Sequence, residues 1–329
     1  MQRRFCVAAL LLTLSLLVTA LPGSAQTRGA TAPGNAAASN PLKIAQLDWY
    51  QANITTNFAV GNEPSGVAFD GANVWVANFS DGTVTKLQAN DGTVLGTYTV
   101  GTGTQPYGIT YDGANLWVSS ISTATVTKLQ ASTGKILGTY SVGTFNGPPG
   151  FMTFDGANIW VPNGQDTVTK LQASDGKNLG NFTVGSAPIS AAFDGANVWV
   201  VCGAGVVDKV RASDGSVLGS YSVGSAPTGI AFDGANMWVT NRSDGTVTKI
   251  QSSTGEVLGT FSVPLGPFGV AFDGSNVWVT SSKGVAELRA SDGATLGVFK
   301  TPSNNTAGVA FDGAHMWIAG YNKAIVSKF

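Results

Sequence analysis

The sequence Phe-Asp-Gly or Tyr-Asp-Gly recurs seven times, at intervals of about 40 residues, and repeated carboxylates of this kind raise the question of calcium binding. The seven aspartates are Asp70, Asp112, Asp155, Asp194, Asp233, Asp273 and Asp312. Calcium takes six to eight oxygens from a compact loop, and each of these loops supplies little more than one carboxylate and one amide. We therefore favour tight turns, in which Asp and Asn accept backbone N–H bonds and Gly adopts positive φ. The same interpretation applies to the Ser-Asp-Gly turns at Asp175, Asp214 and Asp292.

A second series of charged residues consists of lysines at one repeated position, interrupted once by Glu287. Its members are Lys86, Lys128, Lys170, Lys209, Lys249 and Lys328. A ring of cations can dock an anionic polymer or a cell-wall component. Lysine on a strand also keeps a surface soluble and blocks edge pairing, and the sequence favours this second interpretation.

Two single residues deserve a chemical interpretation, Cys202 and His315. An unpaired cysteine in an exported chain can be reactive, but a nucleophile needs a base within reach, so we expect a small, partly buried thiol. His315 stands where the other six copies have asparagine, which predicts a turn residue without a catalytic role. The motifs of phosphate-binding loops, zinc sites and serine hydrolases do not occur in the sequence.

These residues belong to one unit, Phe-Asp-Gly-Ala-Asn-Val-Trp in its first copy, which is repeated seven times. The tryptophans that end the copies are Trp75, Trp117, Trp160, Trp199, Trp238, Trp278 and Trp317. A period near 40 with four strand-like runs per copy, rich in Val, Thr, Trp and Tyr, is typical of a propeller blade. The sequence predicts an all-β protein, a seven-bladed β-propeller of four-stranded antiparallel blades.

The last copy stops after three strands, and a matching segment lies at the other end of the chain. Leu47 to Gly61 aligns with Leu171 to Gly185 and shares its final Asn-Phe-x-Val-Gly. We expect Ile54 to Val60 to pair as the outermost strand of the last blade, which closes the ring and removes its free edges. The propeller domain is therefore predicted to span residues 47–329.

The first 46 residues differ from the repeats in composition. Two arginines, an apolar run and small residues at Gly23 and Ala25 predict a signal peptide over residues 1–25. Residues 26–46 are predicted to be a flexible linker. We expect export to the periplasm or the exterior, with no membrane span after signal cleavage. The net charge of −1 argues against nucleic acid, and the 11% of charged residues argues against a coiled coil or a disordered chain.

The repeat, P-x-G-V-A-F-D-G-A-N-V-W-V-x-N followed by G-T-V-T-K-L, resembles the YVTN/NHL-type secreted bacterial β-propellers over about residues 54–329. It is also distantly similar to the virginiamycin B lyases, seven-bladed propellers that open streptogramins with paired His and Glu residues and a divalent metal. The sequence after residue 25 has one histidine and three glutamates, Glu63, Glu256 and Glu287. We therefore predict no catalytic residue, no metal and no cofactor.

The least repetitive positions lie in the loops between second and third strands and between blades, which share one face of a propeller. The candidate ligand-binding residues on this face are Glu63, Asn78, Phe79, Tyr107, Ser120, Phe145, Asn163, Asn241, Arg242, Phe268, Ser281 and Tyr321. Aromatics, amides and hydroxyls suit a neutral or weakly polar ligand.

The sequence thus predicts an exported, monomeric, non-enzymatic scaffold that binds an unknown protein, peptide or glycan through its loop-lined channel face. The alternative is a degenerate metal-dependent lyase or lactonase-like enzyme with its site in the central channel. A wall-associated structural repeat is a third possibility.

Overall fold

Seven antiparallel sheets of four strands each make up the described part of the chain, residues 56–101, 103–143, 150–264 and 266–329, in a computed structural model. Every regular element in these ranges is a strand. This confirms the predicted all-β, seven-bladed propeller. The predicted signal peptide, residues 1–25, and linker, residues 26–46, lie outside the described residues. The described ranges contain no helix long and apolar enough to cross a membrane.

The strands are numbered in chain order and fall into four classes by their place in the blade. The innermost strands are β2 (Pro64–Phe69), β6 (Pro106–Tyr111), β10 (Thr153–Phe154), β14 (Pro188–Phe193), β18 (Pro227–Phe232), β22 (Val270–Phe272) and β26 (Thr306–Phe311). The second strands are β3 (Asn73–Asn78), β7 (Asn115–Ser120), β11 (Asn158–Pro162), β15 (Asn197–Cys202), β19 (Asn236–Asn241), β23 (Asn276–Ser281) and β27 (Met316–Gly320). The third strands are β4 (Thr83–Gln88), β8 (Thr125–Gln130), β12 (Thr167–Gln172), β16 (Val206–Arg211), β20 (Thr246–Gln251), β24 (Gly284–Arg289) and β28 (Ile325–Lys328). The outer strands are β5 (Val94–Thr99), β9 (Ile136–Ser141), β13 (Asn178–Thr183), β17 (Val217–Ser222), β21 (Val257–Ser262), β25 (Thr295–Phe299) and β1 (Thr56–Ala59).

The first described strand completes the last blade. The seventh sheet has the order β1-β28-β27-β26, and β1 pairs antiparallel with β28 from Thr56 opposite Lys328 to Ala59 opposite Ile325. The ring of Phe58 stacks on Trp317 of the same blade, with centroids 5.4 Å apart. The predicted closing strand is therefore confirmed within the described residues, and the edge of β28 is paired rather than open.

The hydrophobic core lies in layers between neighbouring blades. One such layer joins Trp75 and Val84 of the first blade to Ile109, Leu116 and Val118 of the second. Because the second strand of each sheet is packed on both faces, it is buried along most of its length and carries no charged residue.

The innermost strands line a narrow central channel, a cavity of about 160 Å³. Every blade contributes at least one apolar side chain to its lining, namely Val67, Ile109, Phe151, Met152, Ala191, Ile230, Val270 and Val309. Glycine lets these strands approach closely: a Cβ on Gly66 would lie 2.4 Å from the carbonyl oxygen of Tyr107 in the next blade. Such contacts exclude a side chain at this position.

The repeated tryptophan is fully buried in six of the seven blades and is contacted by polar and aromatic groups of its own blade. In the first blade the indole N–H of Trp75 donates to Asp70 at 2.8 Å, the Nζ of Lys86 lies 4.9 Å from the ring centroid, and the ring of Tyr98 lies 5.5 Å away. A cation over an indole face is attracted by the ring quadrupole, more strongly when it is desolvated.

Each repeated lysine also bonds to the next blade. Lys86 Nζ donates to the carbonyl of Ala131 at 2.7 Å, and Lys328 Nζ closes the ring by donating to Ala89 at 2.7 Å. The remaining pairs are Lys128–Ala173, Lys170–Ala212, Lys209–Ser252 and Lys249–Ala290. The side chain of Lys128 is only 5% exposed. The lysines were expected to face solvent, either to keep the surface soluble or to dock a polymer. This expectation was wrong, because their ammonium groups donate hydrogen bonds to the neighbouring blade.

The closing strand gives the first prediction. Deleting residues 47–61 removes β1, leaves β28 as an open edge and uncovers Trp317, so the melting temperature should fall by at least about 10 °C. Deleting residues 30–44, the same length within the predicted linker, serves as the control and should leave it unchanged. Equal melting of the 47–61 deletion and the full chain in calorimetry would show that the ring does not need this strand.

The lysine contacts give the second prediction. Lys128→Met removes the cation 5.1 Å from the Trp117 ring and the bonds to the carbonyls of Ala173 and Ser174. The buried carbonyls lose a charged donor, so the free energy of unfolding should fall by about 2 kcal/mol in urea titration. The exposed Lys135 is the control, and Lys135→Met should change the free energy of unfolding by less than about 0.5 kcal/mol. A loss no larger than that of the control would contradict the inter-blade role.

Candidate functional site

The seven aspartates of the repeat hold turns, as predicted. In the first blade the Oδ1 of Asp70 accepts the backbone N–H groups of Ala72 at 3.0 Å and Asn73 at 2.7 Å, and its Oδ2 accepts the indole N–H of Trp75. The other blades repeat the indole bond at 2.7 or 2.8 Å. Both carboxylate oxygens are thus occupied within the blade. Among the described residues no group of three or more His, Cys, Asp or Glu side chains is placed to hold a metal ion.

Five of the candidate ligand residues lie at one buried position, at or just after the end of the second strand. They are Asn78, Ser120, Asn163, Asn241 and Ser281. Asn241 shows their role: its Oδ1 accepts the N–H of Gly224 at 3.0 Å, and its Nδ2 donates to Thr246 and Thr248. Asn78 and Asn241 thus join the blade to the loop that enters it, whereas Ser120, Asn163 and Ser281 bond to the segment that follows them. Their polar groups are used inside the frame.

The fourth blade has Cys202 at this position, and a nearby aspartate takes over the missing bond. Asp208, 3% exposed, accepts the N–H of Gly185 at 2.6 Å, the bond that asparagine makes in other blades. Cys202 is fully buried, which confirms the expected small buried thiol, although the burial is complete rather than partial. Burial, together with the Asp208 charge, raises the pKa of the Cys202 thiol to about 12, so the reactive thiolate is suppressed.

His315 lies in the turn between β26 and β27, as predicted. Its backbone N–H donates to Asp312 at 2.7 Å, and its ring Nδ1 lies 3.6 Å from Asp312 Oδ2 with 45% of the side chain exposed. This turn is at the end of β26 opposite to Thr306, where the loops between blades meet the channel. The histidine is therefore at the far end of the channel from the loop face.

The next residue after the buried position points into the mouth of the channel instead. At this position Phe79, Arg242 and Tyr321 meet two residues of the innermost strands or their entry loops, Tyr107 and Phe268. The ring centroids of Phe79 and Tyr107 are 6.2 Å apart, those of Phe79 and Tyr321 6.4 Å, and those of Tyr107 and Phe268 6.4 Å. Tyr107 and Phe268 come from the second and sixth blades, so the side chains meet across the channel axis. We call this group the aromatic mouth.

Hydroxyl groups of the frame set the backbone of the aromatic mouth. Ser65 Oγ donates to the carbonyl of Tyr107 at 3.1 Å, and the next amide, of Gly108, donates to Ser119 Oγ at 2.8 Å. The strand register shifts between Pro106 and Ile109, so the ladder is interrupted at Tyr107. Such a shift re-aims a side chain, here into the mouth.

The same arrangement holds Phe268 in the sixth blade. Thr240 Oγ1 donates to its carbonyl at 2.8 Å, and the amide of Gly269 donates to Thr280 Oγ1 at 2.8 Å. The backbone N–H of Arg242 donates to the carbonyl of Ala226 at 3.0 Å. The mouth residues are therefore held by bonds that do not use their own side chains.

Phe151 belongs to the aromatic mouth and was not among the sequence candidates. Its ring lies 5.6 Å from Tyr107 and 5.9 Å from Phe268, and it also lines the channel below them. It stands where other blades have glycine, as at Gly66 and Gly108, and the preceding Gly150 makes the close inter-blade approach instead. A break in a glycine series was the signal available in the sequence.

A cavity of about 260 Å³ opens beside these rings. It is lined by Tyr107, Arg242, Phe268, Asn305, Thr306, Ala307 and Tyr321. Burial raises the pKa of Tyr107 well above that of a free phenol, although nearby Arg242 opposes the rise. The guanidinium carbon of Arg242 lies 5.8 Å from the Phe268 ring. The cavity thus combines apolar walls, a protonated phenol and a cation.

Glu63 and Phe145 complete the candidate list. Glu63 has positive φ, and its carboxylate accepts the Ser80 hydroxyl on the loop face. Burial and Glu63, which is hydrogen-bonded to the phenol, raise the pKa of Tyr321. Glu63 lines a separate groove beside Tyr321. Phe145 lies outside the described residues. The structure brings Phe79, Tyr107, Arg242, Phe268 and Tyr321 together.

Comparison with known proteins shows similarity in fold. Residues 80–237, somewhat under half of the chain, match the family described as outer membrane protein assembly factor BamB, PQQ_2. A catalytically inactive histidine-to-alanine variant of virginiamycin B lyase from Staphylococcus aureus, with quinupristin, is 20% identical at a TM-score of 0.71, covering 83% of this chain and 98% of its own. A streptogramin B lyase structure is 18% identical with a TM-score of 0.71, and the match covers 83% of this chain and 96% of the lyase chain. Selenomethionine-substituted virginiamycin B lyase from Staphylococcus aureus is 19% identical with a TM-score of 0.70, and the match covers 83% of this chain and 98% of the lyase chain. No curated protein matches the sequence.

The aspartate turns predict an acid-sensitive fold. Burial alone would raise the pKa of Asp155, but the bonds from Trp160, Asn158 and the turn amides outweigh it and lower the pKa below 3.8. A carboxyl whose pKa is lowered by folding stabilises the fold above its unfolded pKa, near 4, and loses this contribution as pH falls further. The Asp155→Asn variant should therefore be less stable than the wild type at pH 7. Its melting temperature should fall less than that of the wild type between pH 5 and pH 2.5.

The exposed Glu256 provides the control for this experiment, as Glu256→Gln. It should reproduce the wild-type dependence of melting temperature on pH. A profile for Asp155→Asn that runs parallel to the wild type would show that this carboxylate does not contribute to acid sensitivity.

Proposed function

We propose that this protein is an exported, non-enzymatic propeller that binds its ligand through the aromatic mouth. The observation that carries the proposal is the cavity of about 260 Å³ between Tyr107, Phe268, Tyr321 and Arg242. Pockets that mix aromatic walls with a few polar groups are typical ligand sites. Export is supported by the sequence of residues 1–25 alone.

The mouth residues differ from blade to blade, whereas the residues that hold the blades together are repeated. At the position of Tyr107 the first, fifth and seventh blades carry Ser65, Thr228 and Ala307, and the ring closes equally well around these. The aromatic side chains are thus not required by the propeller. Each is only partly buried, so their apolar surface remains available to a partner.

The size of the cavity limits what it accepts. Drug-sized ligands occupy pockets of roughly 300–1,000 Å³, so this cavity has room for one aromatic or aliphatic group and not for a whole large molecule. A ligand of larger size would leave most of its surface on the loop face. This suits a peptide, a protein segment or a glycan that inserts one group.

A lyase activity is the second candidate, favoured by the fold similarity to the streptogramin lyases. The described channel wall is apolar at all seven inward positions, and His315 lies at the opposite end from the mouth. Both arrangements favour binding over acid–base chemistry at the mouth. Turnover of quinupristin, followed by chromatography with mass detection in the presence of Mg²⁺, would support the lyase over the binding scaffold.

The binding proposal is tested with a neutral aromatic probe, N-acetylphenylalanine amide, titrated by saturation-transfer NMR. We expect binding that weakens at least about fivefold in Tyr107→Ser and Phe268→Ala, since losing a ring contact removes about 1 kcal/mol. These substitutions introduce residues that other blades carry at this position, so the fold should persist, as checked by the melting temperature. Tyr111→Ala, at the other end of β6, is the matched control and should bind as the wild type does.

Binding that none of the mouth variants weakens, or no binding of the probe at all, would contradict a ligand site at the aromatic mouth. N-acetylglycine amide, which lacks the ring, should give no saturation-transfer signal. Equal transfer from the two amides would show that the rings of the mouth do not select an apolar group.

A further inference from the structure

We infer that the ligand of the aromatic mouth carries a carboxylate beside its apolar group, and that it is the free carboxyl terminus of a peptide whose last residue is apolar. This inference rests on the proposed function and names the chemistry of its ligand. It is carried by three features on the loop face: the cation of Arg242, the hydroxyl of Tyr107 and the neighbouring groove that shares Tyr321 with the cavity.

Arg242 is a cation without a protein counter-ion in the part of the chain that the structure describes. The other two arginines in these ranges pair with aspartates three residues on, Arg211 with Asp214 and Arg289 with Asp292. Near Arg242 the carboxylate of Asp244 accepts the backbone N–H of Ser225 at 2.7 Å instead. The guanidinium remains at the wall of an apolar cavity, over the Phe268 ring. A ligand anion is the group that would complete it.

Tyr107 adds a second donor to the same cavity. Its hydroxyl has no hydrogen-bond partner among the described residues, and the residue is partly buried. Because burial raises the phenol pKa, the hydroxyl stays protonated and can donate. A carboxylate has two oxygens, so it can accept from Tyr107 and Arg242 together while the attached apolar group enters the cavity.

The groove beside the cavity favours a peptide over a small free acid. Tyr321 lines both spaces, and beyond it the groove is bounded by amide, hydroxyl and charged groups of Asn62, Glu63, Ser80, Asn322 and Lys323. Such groups pair with peptide N–H and C=O groups. A chain whose last residue fills the cavity would therefore run out along this groove, and Glu63 lies there rather than in the anion position.

The test compares two pentapeptides, acetyl-Gly-Ser-Gly-Ser-Phe with a free carboxylate and the same peptide with a terminal amide. Binding to the full chain is measured by calorimetry at low salt. We expect the acid to bind about tenfold more tightly than the amide, and this ratio to shrink in high salt, because the extra bonds are charge-assisted and partly screened.

The variants locate the effect. Arg242→Gln should weaken binding of the acid more than binding of the amide and so reduce the acid-to-amide ratio to about one, and Tyr107→Phe, which keeps the ring, should reduce this ratio about threefold. Arg211→Gln, at an exposed arginine of the fourth blade, is the matched control and should keep the full ratio. An unchanged ratio in Arg242→Gln would overturn the assignment of the anion site.

The remaining outcomes separate the inference from the proposed function. Equal affinity of acid and amide, both lost in Phe268→Ala, would overturn the carboxylate and leave the aromatic mouth as a ligand site. Failure of both peptides to bind would count against both. Free N-acetylphenylalanine binding as tightly as the acidic pentapeptide would overturn the peptide and identify a small aryl or alkyl acid as the source of the carboxylate.

Discussion

The packing of a lysine ammonium on a buried tryptophan is the interaction on which the ring depends. In six blades the lysine covers the indole of its own blade and donates to a backbone carbonyl of the next, so a single side chain fixes both the core of one blade and its distance to the neighbour. A buried cation is tolerated only where such partners replace water. The sixth blade shows the consequence of losing it: Glu287 replaces the lysine and accepts from Asn276, and Trp278 is no longer fully buried.

This frame uses nearly all the polar groups that the repeat supplies. The aspartates hold turns and indoles, Asn78 and Asn241 hold the loops that enter their blades, and the lysines hold the neighbouring blades. The repeated glycines have a comparable role, since Gly134 leaves room for the ring of Tyr98 from the preceding blade. Polar groups that are satisfied inside the protein offer nothing to a ligand. What remains for recognition is therefore the small set of residues by which the blades differ.

The sequence predicted the seven blades and the closing strand because the repeat period and its missing strand are properties of the chain alone. The burial of Lys128 was not predictable in this way, since its acceptor, Ala173, is 45 residues away and in another sheet. Of the candidate site, the sequence identified the variable positions but not the direction in which their side chains point. Asn78 and Phe79 are adjacent and both variable, but Asn78 is the last residue of β3, opposite Thr83, and therefore points into the blade, whereas Phe79 follows the strand and reaches the mouth.

The position of these variable residues also bears on the proposed binding role. Near-identical blades suggest a repeated ligand with one contact per blade, but the variable side chains converge on the axis, where Tyr107 of the second blade contacts Phe268 of the sixth. Rings from five blades and the guanidinium of a sixth form one cluster, and three of these rings line its cavity. Within the described residues, a sevenfold frame thus surrounds an asymmetric cluster of side chains. Two of its residues, Phe268 and Tyr321, also pack against the apolar layer between the last and first blades, so these positions contribute to the propeller as well as to the mouth.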